Sequence, residues 1–157
     1  MEAAGAQLSS WMGLALRQAE LALEHDDVPV GAVVVHSTTG EVVATAHNAR
    51  ERDHDPTAHA ELIALRTAAD RVGSWRLTDY TLVATLEPCP MCAGAVWAAR
   101  IGRLIFGAPD AKAGAAGTLY NFATDPRLNH DTEVVAGVRA QECGELLTSF
   151  FRSRRSG

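Results

Sequence analysis

The run Val30-Gly31-Ala32-Val33-Val34-Val35 constrains this chain more than any other segment. A strand with one face in water alternates apolar and polar residues. This run does not alternate, so it reads as a strand buried on both faces. Such a strand needs a covering layer on each side of its sheet, and the chain offers helices for both. Leu8, Trp11, Met12, Ala15, Ala19, Ala22 and Leu23 recur at helical spacing and predict a first helix. Ser9 or Ser10 is its expected cap, and Asp26-Asp27-Val28-Pro29 ends it.

After the buried run, 37–40 reads as a turn and 41–46 as a second strand, making a hairpin. Residues 48–55 are polar and read as loop. A helix is expected over 58–72, a strand over 80–86, a helix over 91–100 and a strand over 103–106. Residues 110–129 are rich in Gly, Ala and polar types, a loop with one short helix at 119–122. A short strand over 133–138 and a helix over 141–155 complete the order α-β-β-α-β-α-β-β-α. This predicts an α/β protein of three layers, a five-stranded sheet between helices. At 157 residues, 47% apolar and 21% charged, one domain spanning 1–157 is expected, with core enough to dispense with disulfides. Three cysteines form no disulfide framework, residues 1–7 lack the basic and apolar regions of a leader, and no apolar run spans a bilayer. A cytoplasmic protein with reduced thiols, and no membrane partner, is the expectation.

Two segments carry chemistry: His59-Ala60-Glu61 and Pro88-Cys89-Pro90-Met91-Cys92. Thiolate and imidazole are the usual zinc ligands, and three protein ligands with an open fourth position mark a catalytic zinc. His59, Cys89 and Cys92 each fall at an expected helix start, where the positive end of the helix favours thiolates. Pro90, at a first helical turn, gives up no hydrogen bond. Glu61, two residues past His59, is placed to handle the protons of an activated water rather than to ligate. That combination suits hydrolytic deamination. Cys89 and Cys92 also fit a redox pair, and His54 with His59 has the spacing of a closed two-Cys, two-His structural zinc. Cys143 reads as a small buried apolar residue. His25, His36, His47 and His130 have no ligand spacing and read as surface or hydrogen-bonding residues.

H-x-E with P-C-x-x-C resembles the zinc-dependent cytidine deaminase-like superfamily. The wider set is similar to its bacterial tRNA-specific adenosine deaminase branch: Val28-Pro29-Val30-Gly31-Ala32, His47-Asn48, the 53–61 segment, Thr85 through Ala95, the 107–117 loop and Phe150-Phe151-Arg152. Pro109, before Asp110, departs from the pattern. The resemblance implies a five-stranded mixed sheet in a homodimer, with one zinc ion per subunit held by His59, Cys89 and Cys92. It implies conversion of adenosine to inosine at the wobble position of a tRNA anticodon stem-loop, by attack of zinc-activated water with Glu61 shuttling protons. Asn48, assisted by the Ala60 N–H, would read the base, and Asp110 would contact the sugar-phosphate. Lys112, Phe151 and Arg152 are further candidates for RNA contact. Deamination of a free base or nucleoside, and a non-catalytic zinc module, are the competing functions. The net charge of −5, with thirteen arginines and the single lysine Lys112, argues against broad phosphate binding. Three of those arginines nevertheless cluster at 152–155.

Overall fold

The computed structural model describes residues 2–156, with side chains placed from 4 to 155. Five strands form one mixed sheet: β1 (Gly31–His36), β2 (Val42–His47), β3 (Tyr80–Leu86), β4 (Arg103–Ala108) and β5 (Glu133–Val135). Their order is β2-β1-β3-β4-β5. β1 runs antiparallel to β2 and β3, while β3, β4 and β5 run parallel. The helices are α1 (Glu2–Ala22), α2 (Arg50–Asp53), α3 (Ala60–Val72), α4 (Pro90–Ala98) and α5 (Ala140–Ser156).

The strand period of two sorts the central residues into two cores. Val33, Val35, Val83 and Ile105 pack with Trp11, Met12, Ala15, Leu16 and Cys143, from α1 and α5. Their neighbours Ala32, Val34, Leu82, Ala84, Leu104 and Phe106 pack on the other face with Ala64, Leu65, Ala68 and Val96, from α3 and α4. The three-layer reading of the sequence therefore holds. Gly31 permits the tightest contact between layers. A Cβ there would overlap the Ala15 carbonyl oxygen and lie 2.5 Å from the Ala19 nitrogen. α1 can lie directly against β1 only because that Cβ is missing.

Four local expectations need correction. α1 starts at Glu2, so Ser9 and Ser10 lie inside it and cap nothing. Residues 4–7 are exposed, and hydrophobic periodicity does not register a helical extension whose side chains bury nothing. The loop expected over 48–55 contains α2, one helical turn that borrows its cap from Asp27. No helix forms at 119–122. The Gly114 carbonyl accepts from both Leu119 and Tyr120, and Ala116 pairs with Asn121 across a turn. Four residues lack the length to repay helix nucleation. Finally, β5 stops at Val135, and Gly137 follows at φ 81°, outside the strand range.

Candidate active site

α3 and α4 lie on the same face of the sheet, and their N-termini converge. β2 leads through Asn48 and α2 to His59, which is the N-cap of α3. The Ala49 N–H donates to the Ala58 carbonyl at 3.0 Å and closes this excursion. β3 leads through Glu87 and Pro88 to Cys89, which caps α4, and Pro90 follows at the first helical turn. Both helix ends therefore direct their positive poles at the same point.

There the His59 Nδ1 lies 3.6 Å from the Sγ of Cys89 and 3.6 Å from the Sγ of Cys92. The three ligand atoms all fall within 4.8 Å of one another. Tetrahedral zinc with bonds of about 2.3 Å to sulfur and about 2.0–2.1 Å to nitrogen separates S from N by about 3.6 Å. The donor set thus fits zinc in spacing as well as in chemistry. Among the described residues it is the one such group, and the exposed His54 is outside it. The closed two-His arrangement does not form.

The three donors shift one another's protonation. The Cys92 thiol beside Cys89, helped by His59, holds Cys89 down at about 3 against the effect of burial. The same hydrogen bond, with burial and the Glu61 charge, pushes Cys92 up. Hydrogen bonding to Cys89 raises His59 although its burial opposes this. Glu61 is 3% exposed, and burial pushes its carboxyl up to about 7. A carboxyl poised there can take and return a proton near neutrality.

Asn48, also buried, accepts the Ala60 N–H at 2.8 Å through its Oδ1. The two residues expected to read a base are thus bonded to each other, and the Nδ2 amide is the end of Asn48 that can address a ligand. Asp110 is half-buried, and its Oδ1 accepts the N–H groups of Lys112 and Ala113, at 2.9 and 3.2 Å. Lys112 itself is exposed. Phe151, 45% exposed, lines a cavity of about 370 Å³ with Phe150, Arg154, Val28 and Arg50. The Arg50 charge also opposes protonation of His59. Arg152 is exposed on α5.

The sequence reading missed Glu87. It is 1% exposed and accepts hydrogen bonds from the far side of the 110–118 loop. The one available signal was an acid set between a buried strand and the Cys-x-x-Cys turn. Cys143 is buried, as expected. His25, His36, His47 and His130 all have hydrogen-bond partners away from the metal group.

Residues 6–108 match the family described as the cytidine and deoxycytidylate deaminase zinc-binding region. The tRNA-specific adenosine deaminase of Bacillus subtilis is 48% identical over 145 residues, covering 92% of this chain and 89% of that protein. A solved structure from a study of A-to-I editing by tRNA A34 deaminases at the wobble position superposes with a TM-score of 0.83. It is 42% identical, covering 88% of this chain and 99% of the other. The guanine deaminase structure from Bacillus subtilis is more distant. Its TM-score is 0.62, with 34% identity and 69% of each chain covered.

Proposed function

The chain belongs to the cytidine and deoxycytidylate deaminase zinc-binding family, and from that membership we propose that it converts adenosine to inosine at the wobble position of a tRNA anticodon stem-loop. The observation that carries the chemistry is the group of His59, Cys89 and Cys92 within 4.8 Å beside the buried Glu61. The observation that carries the substrate is the 48% identity to a tRNA-specific adenosine deaminase over 92% of the chain. The guanine deaminase structure from Bacillus subtilis is 34% identical and the one from Nitrosomonas europaea, although it covers 90% of the chain, is 23% identical.

His59, Cys89 and Cys92 would hold the zinc. When bound, zinc supplies a water of lowered pKa, a nucleophile at neutral pH. The reaction adds water across the C6–N1 bond of the adenine ring, then breaks the bond from C6 to the exocyclic amine and releases ammonia. Glu61 carries one proton of the water to N1 and then carries the proton of the new C6 hydroxyl to the departing amine, leaving the C6 carbonyl. A carboxyl that titrates at about 7 serves in both directions. Asn48, fixed by the Ala60 N–H, addresses the flipped base with its Nδ2 amide. Asp110 and Lys112 contact the neighbouring sugar-phosphate. Phe151 and Arg152 meet the RNA from α5, Phe151 by stacking on an unpaired base.

The whole of 1–157 acts as a single deaminase domain. Among the described residues no helix is long and apolar enough to cross a membrane; the cytoplasm as site of action is part of the same proposal. The working unit is a homodimer. α4 supports this, being apolar around its circumference. Met91 is half-buried, Ala98 is exposed, and a Cβ on Gly94 would meet nothing within 4 Å. Light scattering on the zinc-loaded protein tests the dimer, and a monomer mass would refute it.

The functional test gives zinc-loaded protein an anticodon stem-loop with a wobble adenosine and, separately, free guanine or cytidine. Inosine in the RNA alone is expected. Product from free bases alone would transfer the site to a nucleobase deaminase. Full zinc occupancy with no product would leave a binding module.

A further inference from the structure

We propose that Glu87 is a positioning residue that fastens the 110–118 loop to the turn carrying Cys89, so that the RNA-contacting loop and the metal group are placed by one side chain. This rests on the deaminase reading above.

Glu87 lies between β3 and Pro88-Cys89. Its carboxylate is 1% exposed, and among the described residues no ion pair reaches it. A buried carboxylate must be met by donors, and all of the donors it meets come from one loop. Oε1 accepts the Asp110 N–H at 3.1 Å and the Thr118 hydroxyl. Oε2 accepts the N–H groups of Ala116 and Thr118, each at 3.0 Å. The backbone on either side of the carboxylate is tied to the same stretch. The Glu87 N–H donates to the Ala108 carbonyl and the Ala115 N–H to the Pro88 carbonyl, both at 2.9 Å. Gly114 completes the fit. A Cβ there would lie 2.5 Å from the Glu87 Cδ and Oε1, and the carboxylate occupies the space that a side chain would need.

The sheet does not depend on this clamp. β3 and β4 are joined by their own ladder from Thr81↔Arg103 to Leu86↔Ala108. The segment Glu87 holds lies beyond that ladder and carries Asp110 and Lys112. One of its donors is the Asp110 N–H itself, so releasing Glu87 frees the backbone at the residue assigned to the sugar-phosphate. Glutamine at this position keeps the shape but points N–H₂ at backbone N–H groups. Removing the Thr118 hydroxyl alone is a milder cut.

The test compares zinc-loaded wild type with Glu87→Gln and Thr118→Val. It measures steady-state kinetics on the stem-loop, bound zinc, and hydrogen exchange at the amides of Asp110, Ala116 and Thr118. The expected result for Glu87→Gln is a KM raised about tenfold or more with kcat within about threefold, since uniform substrate binding is what is lost. Those amides exchange about tenfold faster while zinc stays at one per chain. Thr118→Val moves KM in the same direction by less. An unchanged KM despite a loosened loop would overturn the proposal, as would unchanged exchange. So would zinc loss in proportion to activity in both variants, because Glu87 would then merely support the metal turn. A wild type that makes no inosine would instead defeat the functional reading, and the exchange measurement separates the two failures.

Discussion

At the scale of single residues, protonation governs the site. Glu61 is held near the balance point between its two forms because burial penalises the charged one. Glu61→Gln removes proton transfer and keeps the shape. Turnover on the stem-loop is expected to fall about 10²- to 10⁴-fold or more, with zinc content by mass spectrometry unchanged. Loss of metal in step with activity would make Glu61 a structural support. The thiols yield a second prediction. Cys89 is held down at about 3 whereas Cys92 is pushed up, and a coordinating thiol is deprotonated. Loading zinc at pH 8 should therefore release at least one proton, that of Cys92. Calorimetry in buffers of different ionisation heat measures this number. His59, Glu61, Cys89 and Cys92 were legible in the sequence because their chemistry is written in spacings of two and three residues. Glu87 was not. Its donors lie between 23 and 31 residues further along, and only the folded loop shows that a lone acid has become a clamp. The bond between Asn48 and Ala60, across 12 residues, was hidden for the same reason.

At the scale of elements, patterning revealed what is buried and missed what is capped. β1, β3, β4 and the core faces of α1 and α3 follow from apolar runs and helical spacing, since each owes its place to burial. α2 owes its place to one carboxylate. Asp27, 2% exposed, accepts the Glu51 N–H at 2.8 Å and the Arg52 N–H at 3.3 Å. Its Oδ2 lies 2.5 Å from the His25 Nδ1. Burial alone would raise its pKa, but these donors outweigh burial and hold it below the ordinary 3.8. A folded pKa below the unfolded value means stability that is fully present above 3.8 and lost as pH falls through the folded value. Asp27→Asn should cost about 1 kcal/mol at pH 7, because the amide keeps one acceptor but turns its N–H₂ toward a backbone N–H that the carboxylate had accepted. The gap between variant and wild type should close in acid. Urea unfolding at pH 7 and at progressively lower pH checks this, and a gap that stays constant into acid would show that the charge contributes nothing. The same element carries Arg50 to the rim of the Phe151 cavity, so α2 links a local cap to the proposed RNA surface.

At the scale of the whole molecule, the charge inventory limits how RNA can be held. A net −5 with fourteen cationic side chains is no general phosphate binder, and several arginines already face acids. Arg127 pairs with Asp125, and Arg139 with Glu142. Cations near the site are few: Arg50 at the cavity rim, Lys112 on the clamped loop, and Arg152, Arg154 and Arg155 at the end of α5, where Arg154 pairs with Asp26. Arg154 of that cluster lies over the Phe150 ring at 4.9 Å and donates to the Asp26 carbonyl. Affinity must then come mainly from an ordered pocket and from stacking, with about three phosphates neutralised. Counterion release for a single-stranded loop scales as about 0.7 per phosphate, so a plot of log affinity against log salt should have a slope of about −2. Stem-loop binding to the zinc-loaded Glu61→Gln protein, followed by fluorescence anisotropy from 50 to 300 mM salt, measures it without turnover. A slope steeper than about −5 would mean seven or more phosphates. So many contacts would exceed the cations around the site and require a second surface, such as that of a partner copy. With the shallow slope, Lys112→Ala should flatten it by about 0.7 and leave base discrimination unchanged, because a phosphate contact positions the RNA and carries no sequence information.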